Sequence, residues 1–247
     1  MNQPLAYVHP QAKIARNVVI EPFTTIHNNV VIGSGTWIGS NVTIMEGARI
    51  GKNCRIFPGA VISAIPQDLK FEDEETTVEI GDNVTIRECV TINRGTKDRM
   101  KTTVGDNCLI MAYCHIAHDC FVGNDCIFSN NTTLAGHVKV GDNTILGGNV
   151  MIHQFCQIGA NCMIGISSII VKDVPDFLTC MGSPTVPKGM NFEGLKRRGV
   201  DKDDPTKVCA VMQAAPGTMD AFMSANAELI ASSGHVLEST IDTIYIG

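Results

Sequence analysis

The chain has 247 residues, of which 44% are hydrophobic and 18% are charged, and its formal net charge is −6. This balance predicts a sizeable folded core, and it argues against nucleic-acid binding because basic side chains cluster only at 196–198. There is no run of eighteen apolar residues and no secretory signal pattern at the start, so we expect no membrane span and a cytoplasmic location.

A period of six residues runs along the chain from Val8 to Ile170. An aliphatic residue or, once, phenylalanine occupies 25 of these 28 positions, and the exceptions are Asp68, Glu74 and Asp98. A small or β-branched residue follows four positions later, and glycine often follows one position later, which we interpret as a positive-φ corner. No α-helix has this period. The pattern predicts an all-β parallel β-helix of hexapeptides, with about eight turns of three hexapeptides each.

Seven of the ten cysteines fall at the small position of the repeat, where the side chain is predicted to point inward. A free thiol packs as a small hydrophobic group, so we interpret these cysteines as core and expect no disulfide framework. The seven are Cys54, Cys108, Cys114, Cys120, Cys126, Cys156 and Cys162.

Two polar segments, residues 63–79 and 93–103, interrupt the series without changing its phase. Their charges exclude them from the prism, so we interpret both as loops. The first is a candidate functional loop, whereas the second is more readily explained as a solvated excursion. We assign residues 1–190 to the β-helix domain and residues 191–247 to a small helical C-terminal segment.

Four of the seven histidines fall near one predicted corner of the prism in successive turns. Asp119 follows His118 directly, and Gly136 lies one eighteen-residue turn above His118. A neighbouring carboxylate supports a general base, and a glycine N–H can stabilise an oxyanion. Converging imidazoles also suit zinc, and the residues leave both interpretations open while favouring the general base. The four histidines are His115, His118, His137 and His153.

Motifs spread from about residue 5 to residue 199 resemble the acyl-carrier-protein–UDP-N-acetylglucosamine O-acyltransferases of lipid A synthesis. The resemblance rests on PQDLK, IRECVTINRGT, HIAHDC, TLAGHV, HQFCQIGA and NFEGLKRRG. It implies a left-handed coil, a homotrimer with sites between adjacent prisms, and no metal or cofactor. It also implies that a 3-hydroxyacyl group passes from acyl carrier protein to the 3-hydroxyl of UDP-N-acetylglucosamine.

The same resemblance implies roles for individual positions. His118 matches the general base, Asp119 the residue that orients it, and Gly136 the donor to the oxyanion. Ile166 stands where the family has a residue that limits acyl-chain length. The other matched positions contact the sugar nucleotide, its phosphates or the acyl donor, and they are Gln67, Asp68, Lys70, His115, His137, His153, Gln154, Asn191, Glu193 and Arg197.

Residues 200–247 depart from the family, whose basic C-terminal domain helps to bind acyl carrier protein, since they contain two lysines and no arginine. The related N-acyltransferase of the same pathway is disfavoured, because the repeat begins at Val8 and leaves no room for its N-terminal domain. The remaining alternatives are a zinc enzyme of the γ-class carbonic anhydrase type and a non-catalytic binding prism. The acyl-chain length and a 3-amino acceptor stay open.

Overall fold

The protein is described by a computed structural model that covers residues 5–197 and residue 199. Short strands, most of them two residues long, follow one another mainly at intervals of six residues. In chain order the strands are β1 (Tyr7–Val8), β2 (Lys13–Ile14), β3 (Val19–Ile20), β4 (Thr25–Ile26), β5 (Val31–Ile32), β6 (Trp37–Ile38), β7 (Thr43–Ile44), β8 (Ala48–Ile50), β9 (Arg55–Ile56), β10 (Val61–Ala64), β11 (Thr77–Ile80), β12 (Thr85–Ile86), β13 (Thr91–Asn93), β14 (Lys101–Val104), β15 (Leu109–Ile110), β16 (His115–Ile116), β17 (Phe121–Val122), β18 (Ile127–Phe128), β19 (Thr133–Leu134), β20 (Lys139–Val140), β21 (Ile145–Leu146), β22 (Met151–Ile152), β23 (Gln157–Ile158), β24 (Met163–Ile164), β25 (Ile169–Ile170), β26 (Leu178–Met181) and β27 (Val186–Met190), followed by helix α1 (Phe192–Arg197).

Every third strand pairs with the next, so the strands form the three faces of one prism. Face one has the order β1-β4-β7-β10-β13-β16-β19-β22-β25, and face two the order β2-β5-β8-β11-β14-β17-β20-β23. Face three runs β3-β6-β9-β12-β15-β18-β21-β24-β26-β27, and its last pair is antiparallel whereas the coil pairs are parallel. Ile116 lies opposite Leu134, and Leu134 opposite Ile152, so one turn takes eighteen residues as predicted.

Side chains at the six-residue positions fill the prism, and Ile26, Ile116 and Leu134 expose 0% of their surface. Removing this apolar surface from water is the main force that holds the coil together. The small residues four positions later are buried as well. All seven cysteines predicted to point inward are buried, which confirms their packing role.

Glycine one position after the aliphatic residue has a different purpose from the one predicted. Positive φ occurs three positions after the aliphatic residue, where asparagine is common, as at Asn53 with φ 53° and Asn107 with φ 58°. Asparagine tolerates this left-handed conformation better than most residues. At Gly33, a Cβ atom would lie 2.5 Å from the carbonyl carbon of Gly51 in the next turn. Glycine is therefore required there by the close approach of stacked backbones.

Both excursions leave the coil at the corner between face one and face two, which we call the first corner. Residues 65–76 connect β10 to β11, and residues 94–100 connect β13 to β14. The excursions are shorter than the predicted loops 63–79 and 93–103, because the parallel ladder continues into the ends of both segments. The coil resumes in phase above each of them, since Ile62 pairs with Ile92 and Ile92 with Ile116.

The antiparallel pair β26–β27 and the helix α1 follow the coil. Asn191 caps this helix, because its Oδ1 accepts a hydrogen bond of 3.0 Å from the N–H of Gly194. Residues 200–247, for which we predicted helical patterning, lie outside the described residues. Within the described part of the chain, no helix has the length and apolar character needed to cross a membrane.

Candidate active site

The four clustered histidines occupy three successive turns at the first corner. His118 follows β16, His137 follows β19, and His153 follows β22, while His115 belongs to β16 itself. The ring centroids of His118 and His137 are 5.0 Å apart, and their planes meet at 90°. The eighteen-residue stacking therefore brings two imidazoles into direct contact.

His118 forms a hydrogen-bonded pair with the aspartate that follows it. Its Nδ1 lies 2.8 Å from Asp119 Oδ2, and the two side chains are 13% and 0% exposed. Asp119 has φ 58°, the left-handed conformation of the corner position. With Nδ1 bonded to the carboxylate, Nε2 of His118 is the ring nitrogen left to exchange a proton with a substrate.

Asp119 is anchored by the second excursion. Its Oδ1 accepts from the N–H of Thr96 at 3.0 Å and of Arg99 at 3.3 Å, and its Oδ2 accepts from the Thr96 hydroxyl at 2.7 Å. Burial by itself raises the pKa of Asp119, but the hydrogen bonds from His118 and Thr96 outweigh it and lower that pKa. The carboxylate is thus held ionised beside His118.

His137 lies between two carboxylates. Its Nδ1 is 3.2 Å from Asp98 Oδ2, without hydrogen-bond geometry, and its Nε2 is 3.8 Å from Asp119 Oδ2. The ring stacks on Phe155, with centroids 4.5 Å apart. Burial lowers the pKa of His137, against the opposing effect of the two carboxylates. The Nδ1 atom of His137 is thus buried without a hydrogen-bond partner among the described residues, which is uncommon for a polar atom.

Gly136 packs directly against the His118 ring. A Cβ atom at Gly136 would lie 2.7 Å from both Cε1 and Nε2 of that ring. The flanking residues Ala135 and His137 donate their N–H groups to backbone carbonyls, whereas Gly136 makes no such donation within the described chain. The N–H group of a residue that packs against the His118 ring is thus left without a backbone acceptor in the described chain.

His115 and His153 flank this centre. The Nδ1 of His115 lies 2.7 Å from the Thr91 hydroxyl, and burial lowers the pKa of His115, with a further lowering effect from the charge of His118. His153 and Gln154 are exposed, and Nδ1 of His153 lies 3.2 Å from the carbonyl oxygen of Gln154. Both residues present polar groups at the upper end of the corner.

The predicted contacts in the first excursion lie at its surface. Gln67 and Lys70 are exposed and Asp68 is half-buried, and the N–H of Lys70 donates to Asp68 Oδ1 at 3.0 Å. Within the described residues, no hydrogen bond or ion pair joins these three to the histidine cluster. A single chain therefore does not bring them onto His118.

The remaining predicted positions lie away from the first corner. Asn191 is buried, and besides capping α1 its Nδ2 donates to the carbonyl oxygen of Asn161 at 2.9 Å. Glu193 and Arg197 are exposed on α1. Ile166 is 72% exposed at the corner between face three and face one, next to Gly148.

The two excursions brace each other. The ammonium group of Lys97 lies 3.2 Å from Glu72 Oε2, and the N–H of Lys97 donates to Glu74 Oε1 at 3.2 Å. The Thr76 hydroxyl donates to the carbonyl oxygen of Gly95 at 2.6 Å. The second excursion is therefore an ordered part of the corner, in which Gly95 and Thr96 are buried while Lys97, Asp98 and Met100 are exposed to solvent.

Potential metal ligands do converge in this centre. One ligand atom from each of His118, Asp119 and His137 lies within 4.8 Å of the others. Both Asp119 oxygens already accept hydrogen bonds from Thr96, and His118 Nδ1 is paired with the same carboxylate. The donor set is thus arranged for proton transfer more than for tetrahedral zinc, which needs free lone pairs aimed at one point.

Two family models match parts of the chain. The model described as bacterial transferase hexapeptide (six repeats) matches residues 29–64, 101–136 and 120–154. A model described as a domain of unknown function, DUF3764, matches residues 176–247. The hexapeptide match agrees with the stacked turns of the coil.

Curated relatives match the chain over part of its length. An acyl-[acyl-carrier-protein]–UDP-N-acetylglucosamine O-acyltransferase of Pseudomonas putida (strain F1) is 51% identical over 133 residues, which are 53% of this chain and 52% of the relative. The enzyme of the same name from Pseudomonas fluorescens (strain Pf0-1) is 48% identical over 137 residues, 55% of this chain and 53% of the relative. The chain thus spans about half the length of the curated relatives it matches.

Solved structures match more fully. A UDP-N-acetylglucosamine acyltransferase from Bacteroides fragilis has 43% sequence identity and a TM-score of 0.85, covering 100% of this chain and 91% of the other. The enzyme from Francisella novicida has 41% identity and a TM-score of 0.82, covering 98% and 90%.

The stacked hexapeptides and these structural neighbours define the class of protein, which is a left-handed parallel β-helix of the bacterial transferase hexapeptide type. The predicted left-handed fold is thereby confirmed. Within this class, the chain belongs to the UDP-N-acetylglucosamine acyltransferase family.

Proposed function

We propose that the protein transfers a 3-hydroxyacyl group from the thioester of acyl carrier protein to the 3-hydroxyl of UDP-N-acetylglucosamine, the first step of lipid A synthesis. One observation carries the mechanism, which is the 2.8 Å contact between His118 Nδ1 and Asp119 Oδ2. It leaves Nε2 free beside Gly136, which is the arrangement that a general base requires.

In the proposed reaction, Nε2 of His118 accepts the proton of the sugar 3-hydroxyl as that oxygen attacks the thioester carbonyl carbon. Asp119 keeps the proton on Nδ1 and stabilises the imidazolium ion that forms. The N–H of Gly136 donates to the carbonyl oxygen as it becomes an oxyanion. Collapse of the tetrahedral intermediate expels the pantetheine thiolate, which takes the proton from Nε2.

The other predicted residues are proposed to bind the two substrates. His115, His137, His153 and Gln154 line the first corner, where the sugar and the thioester meet in this mechanism. The other six lie on the first excursion and around α1, and within the described residues none of them has a hydrogen bond or ion pair with His118; they are Gln67, Asp68, Lys70, Asn191, Glu193 and Arg197. We therefore propose a homotrimer in which adjacent prisms complete each site, with residues 1–190 as the prism domain and residues 191–247 as the C-terminal segment.

Both proposed substrates belong to cytoplasmic metabolism, so a cytoplasmic location is part of the proposal.

Ile166 is proposed to limit the length of the acyl chain. Its exposed branched side chain, 72% accessible, presents a steric obstacle in any groove that passes Gly148. The proposed mechanism requires neither a metal nor a cofactor.

The decisive experiment assays His118→Ala with 3-hydroxyacyl carrier protein and UDP-N-acetylglucosamine. Loss of a general base predicts a fall in kcat of about 10³-fold. His27→Ala is the matched control, because His27 follows β4 at the same corner four turns below and should leave turnover unchanged. A His118→Ala rate within tenfold of the wild-type rate would refute the base assignment.

Mass spectrometry of the acylated nucleotide gives the acyl-chain length, and hydroxylamine cleavage separates an ester from the amide that a 3-amino sugar would form.

Metal analysis addresses the second candidate function, which the convergence of His118, Asp119 and His137 favours. Stoichiometric zinc together with hydration of CO2 would replace the acyltransferase proposal by a carbonic anhydrase of the γ-class type.

A further inference from the structure

The second excursion, residues 94–100, supplies the groups that hold the general-base pair in place. The Thr96 side chain is buried, with the residue only 6% exposed, and it faces a carboxylate that is wholly inaccessible. Its hydroxyl donates to Asp119 Oδ2 at 2.7 Å, and its backbone N–H donates to Oδ1 at 3.0 Å. One residue thus binds both oxygens of Asp119.

We infer that Thr96 is a positioning residue that holds ionised Asp119 with Oδ2 aimed at Nδ1 of His118. This inference rests on the proposed function, and it assigns the second excursion to the acyl-transfer site. The hydroxyl acts on the same oxygen that pairs with His118 at 2.8 Å. Charge-assisted hydrogen bonds of this length are strong enough to fix a carboxylate rotamer.

A second imidazole lies close to Asp119, so the orientation of the carboxylate decides which histidine it pairs with. Nε2 of His137 lies 3.8 Å from the same Oδ2. If the Thr96 hydroxyl were absent, His118 Nδ1 would be the one hydrogen-bond partner left to Oδ2 among the described residues, and that bond alone would oppose a turn of the carboxylate toward His137. Since the tautomer of His118 depends on its bond to Oδ2, a turned carboxylate would release the proton on Nδ1.

Thr96 is itself held firmly enough to act in this way. Its carbonyl oxygen accepts from the N–H of Met100 at 2.8 Å, and its hydroxyl lies 3.3 Å from the N–H of Asp98. Next to it, Gly95 allows the backbone to approach Lys101, because a Cβ atom there would lie within 2.6 Å of that residue's Cα. The excursion is therefore a compact turn that presents the hydroxyl in one orientation.

The test compares Thr96→Val, which removes the hydroxyl and keeps the shape, with Thr96→Ser, which keeps the hydroxyl. We expect kcat to fall about tenfold in Thr96→Val with KM within about twofold of wild type, and to be restored in Thr96→Ser. Thr144→Val is the matched control, because that buried hydroxyl also donates to an oxygen, at 2.8 Å, but at another corner. It should lower thermal stability without lowering kcat.

A double-mutant cycle distinguishes positioning from general destabilisation. In an Asp119→Asn background, Thr96→Val should change kcat by less than about twofold, because Thr96 acts through the carboxylate. A second tenfold loss in that background would overturn the inference, and so would a normal kcat in Thr96→Val.

A readout that does not need turnover separates this inference from the proposed function. Nitrogen NMR of labelled histidine should show a protonated, hydrogen-bonded Nδ1 on His118 in the wild-type protein and in Thr96→Ser, but not in Thr96→Val. If the wild-type protein transfers no acyl group while this pattern is observed, the proposed function fails and the positioning role stands. An unchanged Nδ1 signal in Thr96→Val overturns the positioning role whatever the activity.

Discussion

Replacing Gly136 by alanine tests the contact between the proposed oxyanion donor and the proposed general base, His118. The added Cβ atom would lie 2.7 Å from Cε1 and Nε2 of His118. Non-bonded carbon contacts are comfortable near 3.5 Å, so the ring must retreat by about 0.8 Å. A misplacement of about 1 Å in a catalytic group can cost about 100-fold in rate, or about 2.7 kcal/mol of barrier. We therefore expect kcat for acyl transfer to fall about 100-fold in Gly136→Ala.

Steady-state assays with acyl carrier thioester and UDP-N-acetylglucosamine measure this loss, and thermal unfolding shows whether the coil is intact. Gly148→Ala is the matched control at the same place in a hexapeptide, because the nearest atom to its Cβ would be 3.6 Å away, an ordinary contact. The control should keep the thermal unfolding temperature of the wild-type protein. A Gly136→Ala rate within threefold of wild type would show that His118 does not act where the packing places it.

Three further predictions concern other parts of the molecule. Ile166→Gly should shift the preferred acyl donor toward longer chains, and an unchanged profile in competition assays would exclude Ile166 as the residue that limits chain length. Asp119 has a lowered pKa in the folded state, so its ionised form stabilises the protein above about pH 4. This stabilisation is lost as the pH falls through the folded pKa. Asp119→Asn should therefore reduce the pH dependence of the free energy of unfolding below about pH 4, measured by denaturant unfolding. Burial raises the pKa of the Cys120 thiol to about 12, whereas Cys89 is exposed. Iodoacetamide should therefore label Cys89 and leave Cys120 unmodified in the native protein, and labelling of Cys120 before unfolding would contradict the packed core.

The coil could be predicted from the sequence because its period is redundant. Each hexapeptide repeats the same inward pattern, so single exceptions do not hide it, and the buried cysteines follow from the same phase. The stacking of His118 below Gly136 also follows from counting eighteen residues, and a Cβ contact of 2.7 Å agrees with it.

The excursions could not be predicted in this way, because residues outside the repeat have no register. Thr96 and Arg99 bind Asp119 across 23 and 20 positions of sequence, through contacts that depend on how the loop folds back. The stacking of Phe155 on His137 could have been predicted, because the two residues are one eighteen-residue turn apart. An aromatic side chain at a corner does not by itself indicate a catalytic role. The glycine positions were misassigned because a sequence does not distinguish a positive φ from a close backbone approach.

The preserved phase across the excursions has a consequence for how such a site can change. Turns above and below an excursion contact each other through the ladder, since Ile62 pairs with Ile92 and Ile92 with Ile116. The strand register of the coil therefore does not depend on the length of the segment inserted at this edge, provided the chain returns to the same strand. The coil thus accepts inserted segments of different length at the first corner, as residues 65–76 and 94–100 show. Exchange of residues 65–76 would keep the strand register that stacks Gly136 above His118, but it would also remove Glu72, Glu74 and Thr76, which brace the excursion that carries Thr96.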